Sequence, residues 1–154
     1  MASSLTFPIA YNGALLATCT YAFVRGGRPE RIGGLVALGA SLSSAAVRMA
    51  HLASWAPAAA LIVSIDLGVL GAFFWLAVTT IRYWPIWAFA FALANIGISV
   101  AGALIPVASL FAYATGLTIY AYLVLAAIAI GTFHLPSDAD PRLRRGSRDD
   151  GLGR

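Results

Sequence analysis

Four side chains able to bind, pair or carry protons sit inside otherwise apolar stretches of this sequence: Arg48 and His51 in one run, Asp66 in the next and Asn95 in a third. A charge in hydrocarbon costs roughly 2.5–3.5 kcal/mol on insertion scales, so such groups pair or face water, and each is a default site candidate. Arg48 lies shortly before Trp55, and Asp66 lies a similar distance into the following run. At a rise of about 1.5 Å per residue the two fall at matched depth, on the order of 11 Å from the boundary between the runs. We therefore expect an Arg48–Asp66 ion pair across two antiparallel helices. His51 is one turn from Arg48 on the same helical face and within reach of the same carboxylate. Such a cluster would serve as a proton relay, a substrate anchor or an acid–base pair. Two complementary charges at one depth also neutralise each other, which makes a structural staple an equally simple role.

Asn95 shares a helical face with Ala88, Ala92, Ser99 and Gly102. Small residues let helices approach closely, and an amide can hydrogen-bond across the gap, so this is a packing face first. Gly33, Ala37, Ser41 and Ala45 form a similar row, as do Ser64, Gly68 and Ala72. Tyr113, Tyr120 and Tyr122 fit packing or interfacial roles.

Other chemistries find no support. A single cysteine, Cys19, leaves no intrachain disulfide and no cysteine metal cluster. A haem held by two histidines needs them close together, whereas His51 is expected near the outer face and His134 at the inner end of the fifth run. The sequence lacks His-Glu-x-x-His, Gly-x-Ser-x-Gly, a phosphate loop and Cys-x-x-Cys. No catalytic residue, metal site or cofactor is expected.

The elements that must position these residues follow from composition. Of 154 residues, 60% are hydrophobic and 10% charged, with a mean hydropathy of +0.84; soluble domains carry roughly a quarter charged residues. Each apolar run of about 20 residues can cross a bilayer once. Five such runs are read, at about 7–24, 32–55, 58–80, 86–105 and 109–133, separated by charged or proline-bearing turns. The fold class expected is all-α, a polytopic transmembrane helix bundle of five spans over residues 1–136. Residues 137–154 are rich in Asp, Arg, Gly and Ser, a composition expected to remain a disordered polar tail.

Orientation follows from the arginines. All ten basic residues are Arg, set against Glu30 and five Asp for a formal charge of +4. Arg25, Arg28 and Arg31 follow the first run, Arg82 the third, and Arg142, Arg144, Arg145, Arg148 and Arg154 the fifth. The positive-inside rule then puts the N-terminus outside and the C-terminus in the cytoplasm. Tyr21, Tyr83, Trp84 and Trp87 would mark the inner interface, and Tyr11 and Trp55 the outer one. These arginines orient helices, so nucleic acid is not an expected partner. Leu16-Ala17-Thr18-Cys19 faintly resembles a lipoprotein cleavage box, but lipidation there would place three arginines on the wrong side.

Arg25-Gly-Gly-Arg28-Pro29-Glu30-Arg31-Ile32-Gly33, Ile65-Asp66 and Arg82-Tyr83-Trp84-Pro85-Ile86-Trp87 together resemble a family of small polytopic bacterial inner-membrane proteins with no assigned activity. The resemblance covers most of residues 11–133 and implies fold rather than function. The chain departs from that pattern near Ser99, where the family often carries a histidine. It departs again after the last helix, where Asp138 and Asp140 dilute a basic extension.

The expected function is that of an integral inner-membrane protein acting without catalysis, as an accessory or interaction subunit of a membrane assembly. Its partners would be membrane lipids and other membrane subunits or a second copy. The alternative is a small transporter or channel-like protein whose Arg48, Asp66, His51 and Asn95 line a polar site. A membrane enzyme using Asp66 and His51 as acid and base is the second alternative.

Overall fold

In a computed structural model, which describes residues 3–49, 56–104, 110–136 and 144–146, the chain is all-helical. Five helices run in order: α1 (Ser3–Arg25), α2 (Arg28–Met49), α3 (Ala56–Thr79), α4 (Trp84–Leu104) and α5 (Leu110–Phe133). Each packs on its neighbours in sequence, α1 closes against α5, and α2 also touches α5. By length and composition, two described stretches can cross a membrane: Leu61–Thr79 and Trp84–Ala101. Thr118–Phe133, within α5, is a shorter apolar stretch.

The helix ends show how local chemistry sets the turns. α1 finishes with Gly26 N–H donating to the Ala22 carbonyl at 2.9 Å, and after two glycines α2 starts with Arg31 N–H donating to the Gly27 carbonyl at 3.2 Å. Gly27 is thus the N-cap of α2, and Pro29 and Glu30 occupy its first turn. A missing proline N–H has no helical partner to lose there, and an acid meets the positive end of the helix dipole. For this reason α2 begins at Arg28 rather than at Ile32, the expected start. At the next link on the same end, Thr80 continues the α3 ladder by donating N–H to Leu76 at 3.0 Å. Its hydroxyl also donates to that carbonyl, at 2.7 Å. Trp84 and Pro85 then open α4, two residues before the expected boundary, with Ile86 N–H closing the turn on the Tyr83 carbonyl at 3.2 Å.

The largest fully buried side chains among the described residues all lie toward this arginine-bearing end: Pro29, Glu30, Phe73, Leu76, Pro85, Ile128 and Thr132. Three residues of the expected polar tail, Arg144–Gly146, also return here. The Gly146 carbonyl accepts from Ile81 N–H at 3.1 Å, and Gly146 holds φ at +63° against the Pro29 ring. That backbone region is open to glycine at little cost. The rest of 137–154 lies outside the described residues.

Candidate functional site

Of the residues expected to form a polar cluster, the Arg48 side chain and all of His51 lie outside what the structure describes, and with them the expected Arg48–Asp66 pair. Asp66 and Asn95 are half-buried on α3 and α4. The Asn95 carbonyl accepts from the Ser99 hydroxyl at 3.1 Å, one turn along the same helix. Tyr122 of α5 meets Tyr11 of α1 edge to face, ring centroids 5.5 Å apart. Cys19 is buried and its thiol donates to the Gly34 carbonyl at 3.4 Å, tying α1 to α2.

The polar residues that the fold does bring together stand at the arginine-bearing end. Glu30, the sequence's sole glutamate, has no exposed surface. The Trp84 indole N–H donates to its Oε1 at 3.1 Å, and Arg82 Nε stands 3.7 Å from the same oxygen. Oε2 is buried and accepts no hydrogen bond among the described residues. A carboxylate taken from water is retained only when opposite charge and donors compensate its desolvation. Here an indole, a guanidinium and the start of α2 share that task.

Trp84 is the piece around which this end is built. The indole was expected at the membrane interface with Tyr83 and Trp87, but it is 5% exposed, against 82% for Tyr83 and 62% for Trp87. Its ring fits there because two glycines leave space. A Cβ on Gly33 of α2 would stand 2.5 Å from Trp84 Cη2, and one on Gly131 of α5 would overlap its Cγ and Cδ1. Phe73 of α3 closes the pocket edge to face, centroids 6.3 Å apart. One side chain therefore touches α2, α3 and α5 from the start of α4, and its polar atom meets the one fully buried acid among the described residues.

Chemically, this arrangement is a latch. Glu30 is sealed from solvent, and no group of three or more metal-ligating side chains forms among the described residues. Sequence reasoning counted Glu30 in the charge balance and the loop motif and missed its burial. The available signal was a lone Glu following Pro at a helix start in an otherwise arginine-rich loop. No family model, curated protein or solved structure matches this chain.

Proposed function

We propose that this chain is a multi-pass protein of the bacterial inner membrane. In this reading α1–α5 are five spans, the N-terminus is outside, the C-terminus is in the cytoplasm, and the protein is a non-catalytic subunit that docks membrane helices of a partner or a second copy. The span reading is supported by the way the more apolar of the two span-length stretches meets its surroundings. Leu61–Thr79 has a mean hydropathy of 2.2, yet only 11% of it is buried. In water that much exposed apolar surface would drive association or aggregation, whereas hydrocarbon accommodates it.

The docking role rests on the fate of the three small-residue rows. On α2 and α4 the rows turn inward: Gly33, Ala37, Ala88 and Ala92 are buried in the bundle. On α3, Ser64 and Gly68 are exposed, and neither Gly68 nor Gly71 has anything within 4 Å of where a Cβ would stand. Small residues facing lipid give a second helix close backbone approach, the main source of helix association where the solvent is itself apolar. A G68L/G71L variant should keep its thermal stability and lose its partner, read by native mass spectrometry after extraction in mild detergent. A wild-type chain that runs alone at monomer mass would overturn the docking role.

A further inference from the structure

The returning tail brings a second set of groups to the start of α2. An open cavity of about 480 Å³ lies between the Gly26–Gly27 link and the tail, lined by Arg28, Arg31, Arg144 and Arg145 together with the two glycines. That volume falls in the range of small-ligand sites. Arg28, Arg31 and Arg145 are exposed, and no carboxylate pairs with them among the described residues. Among the described residues, Glu30 turns its Oε1 inward to Trp84 and Arg82, and its Oε2 lies beneath Gly27. Arg28 and Arg31 share one face of α2 at three-residue spacing, and the first-turn backbone N–H groups of that helix add positive character.

The guanidiniums of Arg28, Arg31 and Arg145 reach one cavity from two separate segments and repel one another, a repulsion that an anion held between them would relieve. The Gly146 carbonyl bond to Ile81 and the left-handed Gly146 backbone hold the tail half of this set in place. Guanidinium forks match phosphate oxygens bidentately, which favours phosphate over a simple halide or a single carboxylate. The cavity stands at the end that carries exposed Tyr83 and Trp87, aromatics suited to headgroup level in a bilayer. Basic pockets beside transmembrane helices are suited to anionic headgroups.

We infer that this pocket binds phosphate groups, as presented by the headgroup of an anionic phospholipid. The lipid source rests on the membrane reading above; the anion chemistry of the pocket does not. The test uses the full chain in neutral detergent, titrated separately with diphosphatidylglycerol, phosphatidylcholine and inorganic pyrophosphate, with adducts counted by native mass spectrometry. One diphosphatidylglycerol should be retained about tenfold or more over phosphatidylcholine, and R28Q/R31Q should abolish that preference. R25Q, altered in the same loop but outside the cavity lining, should bind as wild type. If R28Q/R31Q does not fold, as judged by circular dichroism melting, R145Q should still weaken retention by about fivefold. Pyrophosphate that displaces the lipid supports phosphate recognition. Pyrophosphate that binds where no lipid is retained keeps the phosphate pocket and overturns the lipid source. Equal retention of both lipids, or of diphosphatidylglycerol by wild type and R28Q/R31Q, overturns the proposal. A chain that fractionates with membranes but binds no phosphate fails this inference alone, and one that fractionates as soluble yet binds pyrophosphate fails only the membrane reading.

Discussion

A carboxylate without solvent contact must regain from its neighbours what it lost in water, and for Glu30 the neighbours differ in worth. The Trp84 N–H at 3.1 Å is a direct hydrogen bond from a buried donor, whereas Arg82 stands 3.7 Å away and is 17% exposed, so water can share its charge. W84F removes the donor and also the outer ring atoms that face Gly33. It should destabilise the protein by about 2–4 kcal/mol, the cost of an unsatisfied buried acceptor together with that of the cavity left behind. E30Q keeps an acceptor facing the indole and gives up the charge facing Arg82, so its loss should be smaller, about 1 kcal/mol. Thermal melts of the two variants in one detergent check the order. If E30Q proves the more damaging, the guanidinium rather than the indole holds this end together.

At the scale of elements, the helices meet Trp84 through absent side chains. G33A would put a methyl 2.5 Å from the indole, and G131A would drive one into it. A close-packed end has little room to shift, so each should cost about 1–3 kcal/mol through overpacking. G97A is the control: nothing lies within 4 Å of its Cβ position. It should be neutral or gain about 0.5–1 kcal/mol from the helix preference of alanine over glycine. Chemical or thermal unfolding of the three variants reads the contrast. The same contacts explain what could be read in advance. The five helices were legible because apolar length, proline and charge punctuate the chain locally, and Pro29–Glu30 as the opening of α2 is such a local signal. The Glu30–Trp84 contact was not legible, because it spans 54 positions and depends on Gly33 and Gly131 each making space on another helix. A tryptophan beside Arg82 and Tyr83 carries the composition of an interfacial anchor, and only the packed bundle shows it turning inward.

For the whole molecule, the decisive asymmetry is between its two ends. The link between α1 and α2, the link between α3 and α4, and the segment after α5 meet at one end through Gly27, Ile81 and Gly146. That shared end holds Arg25, Arg28, Arg31, Arg82, Arg144 and Arg145. Convergence of three separate segments in the fold and concentration of arginine in the sequence are independent observations, and under the proposed five spans both place the tail on the side opposite the N-terminus. If the bundle is inserted as proposed, the positive-inside rule turns that common end to the cytoplasm. Fusions of a reporter active only outside the cytoplasm, made after Arg82 and after Arg154, should both be silent, and a fusion at the N-terminus should be active. Activity at one arginine-bearing junction alone would put the α3–α4 link and the tail on opposite sides of a membrane, which the Ile81–Gly146 hydrogen bond forbids. Activity at both would turn the whole bundle over and set the arginines against the positive-inside rule.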